Sequence, residues 1–229
     1  LRNFSLEKVA GMYEEYFQAV LNIHGGQGWY EPNPGRTNMD YAVKHYPGRA
    51  DPIDYNYIEA EERPAAARIA EWIKNNLDPK SLLDIGSGPG MYVDELIKAG
   101  VPAFGIDIDD RVEGKDYLAK ESIFDTKRTA DTVICFEVLE HIDPKFADQE
   151  VDALYNAIND GGTLILTAAQ PGQGGVGHIN CRKKEYWLKK LTDKGLIYLP
   201  DLTKELIDFE RQGYHMGWFV NNVMIFKKP

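Results

Sequence analysis

Short apolar runs alternate with stretches of helical periodicity along most of the chain after residue 60. Residues 82–85 form one such run, typical of a strand buried on both faces, and it ends in a burst of glycines. In residues 91–100, M-Y-V-D-E-L-I-K-A-G, the apolar positions recur at helical spacing, and Gly100 stands where a helix commonly ends. A second apolar run, A-F-G-I-D, then leads to Asp107. The pattern therefore predicts a strand, a glycine loop, a helix and a second strand, as in a doubly wound sheet.

The remaining elements follow from the same two periodicities. Pro64 suits the first turn of a helix predicted over residues 61–77. The side chains of this helix expected to face inward are Ala66, Ile69, Ala70, Ile73 and Leu77. Further helices are predicted over residues 146–158, 183–191 and 202–209, and further strands within 116–124, over 131–136, after the glycine turn N-D-G-G, and over 218–226.

The region before the first predicted strand has a different texture. Residues 1–24 carry apolar side chains at spacings near three and four, which predicts an amphipathic helix. Residues 24–57 are rich in glycine, proline and aromatic side chains without either period, which indicates a long ordered loop or lid. We expect residues 1–60 to form a helix and lid segment, with Trp29 and Tyr30 contacting the substrate. Residues 61–229 then form the main domain of a single compact unit.

Composition narrows the class of partner. The formal net charge of −10 makes a nucleic-acid partner a poor expectation, since the surface as a whole repels phosphate. Cys135 and Cys181 have neither metal-type spacing nor a disulfide framework, which fits a reducing compartment. No apolar run is long enough to span a membrane, so the expectation is a cytoplasmic protein without a membrane partner. The sequence leaves the oligomeric state open.

The glycine stretch departs from the dinucleotide-binding fingerprint. The segment D-I-G-S-G-P-G has the spacing G-x-G-x-G directly after an acid, and Met91 stands where the third fingerprint glycine would be. This difference in glycine spacing argues against NAD as the cofactor. With Asp107 at the end of the second strand, the segment resembles the cofactor motif of class I S-adenosylmethionine-dependent methyltransferases. The sequence Leu139-Glu140-His141-Ile142 after the fourth strand resembles a second motif of that family, and the two likenesses span roughly residues 65–170.

The resemblance implies a fold, a cofactor and its contacts. The fold is an α/β, doubly wound, mostly parallel seven-stranded sheet with helices on both faces and an antiparallel last strand. The cofactor is S-adenosyl-L-methionine: the glycine loop contacts its methionine part, Asp107 its ribose, and Asp84 orders the loop or reaches the ammonium group. Ser122 and Ile123, or Asp125 as an alternative, meet the adenine. The implied cofactor-binding residues are Asp84, Gly86, Ser87, Gly88, Gly90, Asp107, Ile108, Ser122, Ile123 and Phe136.

The acceptor side is less defined. No N-P-P-Y-like motif follows the fourth strand, where C-F-E-V stands instead, so we expect a small-molecule or glycan-type acceptor methylated at oxygen. His178 is the candidate general base, because it follows the fifth strand at the edge of the sheet where ligands bind, and an alcohol acceptor must lose a proton. The alternative is that His178 only forms a hydrogen bond with the loop backbone. Arg182 is the candidate substrate anchor, or part of a solvated helix start. An RNA or protein methyltransferase and a non-catalytic cofactor-binding module stay open as alternatives.

No metal site is expected from sequence. Glu137, Glu140, His141 and Asp143 cluster along the chain but fall on different helical faces and share no ligand spacing. For His141, on the helix predicted after the fourth strand, a structural or cofactor-edge role is expected.

Overall fold

One seven-stranded sheet, in the order β3-β2-β1-β4-β5-β7-β6, organises the molecule. The computed structural model describes residues 55–112, 114–175 and 177–229. The predicted N-terminal helix and most of the predicted lid, with Trp29 and Tyr30, lie outside these residues. The strands are β1 (Leu82–Ile85), β2 (Ala103–Asp107), β3 (Leu118–Lys120), β4 (Ala130–Phe136), β5 (Ile158–Thr167), β6 (Ile197–Tyr198) and β7 (Met224–Lys227).

Helices connect the strands and cover the sheet. They are α1 (Tyr55–Asn76), α2 (Met91–Lys98), α3 (Ala147–Ala157), α4 (Lys184–Asp193), α5 (Pro200–Arg211) and α6 (Gly217–Asn222), with 3₁₀ turns at Asp110–Val112, Leu139–His141 and Pro144–Phe146. In the part of the chain that the structure describes, none of these helices is both long and apolar enough to cross a membrane.

Strand direction follows the predicted doubly wound pattern. β3, β2, β1, β4 and β5 pair in parallel, and β7 pairs antiparallel to both β5 and β6. The predicted mostly parallel sheet with an antiparallel last strand is confirmed. Parallel strands place their carboxyl ends at one edge of a sheet, which is where open α/β sheets bind ligands.

The two faces of the sheet carry separate apolar cores. Val133 and Cys135 of β4 pack with α3 and α4, whereas Ile134 between them packs with α1, α5 and α6. Trp187 of α4 and Phe219 of α6 are fully buried in opposite clusters. Because both faces of β4 are covered, its sequence is a continuous apolar run and not an alternating one.

Two sequence expectations are wrong. The helix predicted from residue 61 begins at Tyr55, so Pro64 lies inside α1 and not in its first turn, and one intrahelical hydrogen bond is lost there. The strand predicted over residues 218–226 is a strand only from Met224; its first half is α6, which buries Phe219 and Val220. A short apolar run fits a buried helix as well as a buried strand, and this explains the error.

Candidate functional site

The glycine loop joins β1 to α2 at the carboxyl edge of the sheet. Gly86, Gly88 and Gly90 have φ of 80°, 51° and 91°, a region that side chains with a Cβ rarely adopt. A Cβ added at Gly86 would lie 2.2 Å from Cγ2 of Val138, beside the 3₁₀ turn that follows β4. The backbone conformation therefore favours glycine at all three positions, and the close approach of a neighbouring segment requires it at Gly86.

Asp107 closes this loop onto the end of β2. Its carboxylate accepts hydrogen bonds from the backbone N–H groups of Gly88, at 2.7 Å, and of Asp109, at 2.9 Å. Desolvation raises the pKa of Asp107, and the two backbone donors act against that increase. Each oxygen accepts one of these bonds and keeps lone-pair capacity for a further donor. The carboxylate is thus held in position and can still accept the two hydroxyl groups of a ribose.

Asp84 lies beneath the loop with unused hydrogen-bonding capacity. It is 2% exposed, and its Oδ2 atom has no hydrogen-bond partner among the described residues. Desolvation raises its pKa well above the usual range, and the nearby charge of Asp107 raises it further. A buried carboxylate without a donor is costly, so a cationic group such as an amino-acid ammonium suits this place.

The other predicted cofactor residues are spread along the same edge. Ser87, 7% exposed, donates from Oγ to the carbonyl of Gly88 at 3.3 Å, and Ile108, just after β2, is 37% exposed. Ser122 follows β3 and accepts a hydrogen bond from the backbone N–H of Phe124 at 3.2 Å. Ile123 and Phe136 are mostly buried in the two opposite cores. The structure therefore brings Asp84, the loop and Asp107 together, whereas Ile123 and Phe136 act first as core side chains.

The loop after β5 is held against the 3₁₀ turn after β4. The backbone N–H groups of Ile179 and Asn180 donate to the carbonyl of Glu140 at 2.8 and 2.9 Å. The Asn180 side chain, 2% exposed, donates to the carbonyl of Leu139 at 3.2 Å. These bonds bring His178 beside Glu140 and His141, although a helix and a strand separate them in sequence.

Three titratable side chains meet there. Nε2 of His178 lies 3.9 Å from Oε1 of Glu140, and the rings of His141 and His178 stand edge to face with centroids 4.9 Å apart. Desolvation, and then the charge of Glu137, raises the pKa of Glu140 to about 9. Desolvation, and then His178, lowers the pKa of His141 to about 4. The cluster differs from the sequence expectation, which placed Glu140 and His141 on separate helical faces and treated His178 alone.

His178 and Arg182 occupy the predicted loop but are engaged with protein groups. The His178 side chain is 12% exposed, with Nδ1 3.4 Å from the carbonyl oxygen of Gln173. Arg182 donates from Nε to Oδ1 of Asn180 at 2.8 Å and lies over the ring of Tyr186. Their roles as general base and substrate anchor stay predictions.

Sequence reasoning missed a polar group at the end of β4. Glu137 is a non-glycine residue with φ of 53°, and its carboxylate accepts hydrogen bonds from Asn222, at 3.1 Å, and from Gln173. Asn222 also donates to Oε1 of Gln173 at 2.9 Å. A left-handed non-glycine residue at the ligand edge is a common mark of a functional position. The place of Glu137 directly after β4 was visible in the sequence, but its partners from α6 and the loop after β5 were not.

Comparison with known proteins gives the family. A sequence profile described as a methyltransferase domain matches residues 57–212, more than half of the chain. A ubiquinone biosynthesis O-methyltransferase from Colwellia psychrerythraea is 26% identical over 162 residues, which cover 63% of this chain and 61% of that protein. The chain thus spans about three-fifths of the length of this curated relative.

Solved structures show the same fold. Magnesium protoporphyrin IX methyltransferase from Synechocystis PCC 6803, crystallised with S-adenosylmethionine, is 15% identical with a TM-score of 0.58, over 86% of this chain and 100% of that chain. N-methyltransferase NodS from Bradyrhizobium japonicum WM9, in complex with S-adenosyl-L-homocysteine, is 18% identical with a TM-score of 0.56. The match covers 84% of this chain and 99% of that chain. S-adenosylmethionine is therefore the cofactor of this fold. The profile match, the strand order and the glycine loop closed by Asp107 agree, and the chain belongs to the class I S-adenosylmethionine-dependent methyltransferases.

Proposed function

We propose that this protein transfers a methyl group from S-adenosylmethionine to a small-molecule or glycan-type acceptor, at an oxygen atom. The observation that carries the proposal is the closed loop: Gly88 bonded to Asp107 at 2.7 Å, with the buried, partnerless Oδ2 of Asp84 beneath it. This arrangement offers a carboxylate to a ribose diol and another to an ammonium group, and S-adenosylmethionine carries both.

The protein's part in the reaction is binding and orientation. The cofactor supplies a sulfonium methyl that is already activated, so no residue has to generate the electrophile. Asp107 would hold the ribose of the cofactor and Asp84 its ammonium group, and the glycine loop would let the backbone approach it closely. Holding the methyl group in line with an acceptor and excluding water accounts for most of the acceleration such a site can supply.

Three observations support the choice of acceptor. The curated relative is named as an O-methyltransferase of ubiquinone biosynthesis, which makes a small organic acceptor the first candidate. The segment after β4 begins at Glu137 and lacks the N-P-P-Y-like motif expected for planar amines. The net charge of −10 opposes an RNA substrate.

We further propose that residues 1–60 act as a lid over the acceptor, with Trp29 and Tyr30 in contact with it.

Cofactor binding is the first test. Isothermal titration calorimetry with S-adenosylmethionine and with NADH should give heat for the first compound only. Binding of NADH with similar affinity would contradict the proposed reading of the glycine loop.

Methyl transfer is the second test. Tritiated S-adenosylmethionine incubated with the protein and a fractionated host extract should place label in the small-molecule or glycan fraction. Label in RNA or protein would instead support the corresponding alternative class. Cofactor binding without transfer to any fraction would support the non-catalytic module.

A further inference from the structure

Glu140, His141 and His178 converge at the carboxyl edge of β4 and β5, next to the proposed acceptor region. One possible ligand atom from each residue lies within 4.8 Å of the other two. Glu140 is fully buried, and neither of its carboxylate oxygens has a hydrogen-bond partner among the described residues. Ionising a carboxyl group in this state is costly unless a positive charge, such as a metal ion, or a hydrogen-bond donor reaches it.

The two imidazoles are held in the manner of metal ligands. Nδ1 of His178 faces the carbonyl oxygen of Gln173 at 3.4 Å, while Nε2 faces Glu140 at 3.9 Å. Nδ1 of His141 faces the backbone of Gly177, where an added Cβ would lie 3.3 Å from that nitrogen. A ligating histidine commonly bonds a backbone carbonyl through one ring nitrogen and presents the other to the ion.

The distances are compatible with coordination after a small movement. Ligand atoms about 2.0–2.1 Å from a tetrahedral ion lie about 3.3 Å from one another. The separations here, up to 4.8 Å, exceed that value by no more than about 1.5 Å. We expect rotation of the side chains, together with a small shift of the loop that carries His178, to close such a gap.

We propose that Glu140, His141 and His178 bind a divalent first-row transition-metal ion, with Zn²⁺, Mn²⁺ or Co²⁺ as the class. Two imidazole nitrogens and one carboxylate favour these ions over Mg²⁺ or Ca²⁺, which prefer oxygen ligands throughout. Three protein ligands leave at least one coordination position for water or an acceptor oxygen. The binding proposal does not depend on methyl transfer, because it concerns the cofactor-free protein.

This proposal and the base hypothesis compete for one nitrogen of His178, because Nδ1 faces the carbonyl oxygen of Gln173 and only Nε2 is left for a metal ion or a proton. A metal ion at Nε2 prevents that atom from taking a proton, so the two roles exclude each other at this atom. Metal binding by the resting protein is therefore the property that separates them.

The test is a titration of tag-free protein, stripped of metal by a chelator, with CoCl₂ and then with ZnCl₂. Wild-type protein should bind one equivalent, develop visible d–d absorption with Co²⁺, and lose that absorption when Zn²⁺ displaces it. His178→Ala and Glu140→Gln should each weaken binding by at least about 10–100-fold, the usual loss when only a partner of a metal ligand is removed, since each of these changes removes a ligand itself. His178→Ala alters a partly exposed loop residue and Glu140→Gln keeps the shape of the side chain, so both are expected to stay folded; circular dichroism checks this.

Two controls match the variants. His215→Ala removes an exposed histidine outside the cluster, and Glu150→Gln changes another fully buried carboxylate without a hydrogen-bond partner. Both should bind Co²⁺ as the wild type does. Absence of d–d absorption in the wild type, equal affinity in His178→Ala, or MgCl₂ competing as strongly as ZnCl₂ would overturn the proposal.

Discussion

The carboxylate of Asp107 has two tasks in the proposed site, because it holds the glycine loop and presents oxygen atoms to the ribose. In Asp107→Ala we expect the dissociation constant for S-adenosylhomocysteine to rise at least about tenfold, since hydrogen bonds to a charged group contribute roughly 1.5–3 kcal/mol each. Calorimetry measures the change. Asp110→Ala is the control: that carboxylate pairs with Lys120 and is 77% exposed. A folded Asp107→Ala protein with wild-type affinity would remove Asp107 from the site.

Gly86 combines a left-handed backbone with a close neighbour. We expect Gly86→Ala to lower the free energy of unfolding by about 1–3 kcal/mol, because φ is 80° and the new methyl group would meet Val138 at 2.2 Å. Urea denaturation measures the loss. The matched variant is Gly174→Ala, where a Cβ meets nothing within 4 Å, and it should be close to neutral. Equal stability of the two variants would contradict the prediction, because the loop would then accommodate the new methyl group with no loss in the free energy of unfolding.

At the scale of elements, the contact between the loop after β5 and the turn after β4 depends on Asn180. Asn180→Ala removes the donor to the Leu139 carbonyl and the acceptor for Arg182. We expect a loss of about 1–3 kcal/mol in the free energy of unfolding, the usual cost of leaving buried polar groups without partners. Asn156→Ala, on the exposed side of α3, should change stability by less than about 0.5 kcal/mol. A neutral Asn180→Ala would mean that the loop is held by its backbone bonds alone.

Helices and strands were predictable from the sequence where the residues that indicate them follow one another in a single stretch. The glycine loop, α2 and β2 can be predicted from residues 82–107 alone, because an apolar run, a group of glycines and a stretch of apolar residues at helical spacing follow one another there. β6 has two residues, too few for any periodicity. The cluster of Glu140, His141 and His178 was not predictable, because it arises when backbone bonds join two loops that the chain separates by α3 and β5.

For the whole molecule, two buried carboxyl groups outside the site make stability depend on pH between weakly acidic and mildly alkaline conditions. Desolvation raises the pKa of Glu150 to about 8 and of Glu210 to about 7, with Lys190 and Arg68 respectively acting in the opposite direction. The folded state then binds more protons than the unfolded state, in which glutamate titrates near about 4.3. Stability is therefore highest below that value and declines as pH rises through about 7 and 8.

The double variant Glu150→Gln/Glu210→Gln tests this pH dependence. Thermal unfolding followed between pH 5 and pH 9 should show a falling midpoint in the wild type and a flatter profile in the double variant, since glutamine has no proton to lose. Glu205→Gln, on the exposed side of α5, serves as the control. Parallel profiles for all three proteins would contradict the assignment.

The position of β7 between β5 and β6 has a consequence for synthesis. β6 leaves the ribosome before β7, yet its sheet partner is β7, through the pairs Ile197 with Lys227 and Tyr198 with Phe226. Until β7 is made, β5 is an open edge, and residues 197–198 have no strand to join. The nascent chain therefore holds an unfinished sheet while α5 and α6 are translated, a period in which a chaperone or a second nascent chain has access to the edge that β7 later covers.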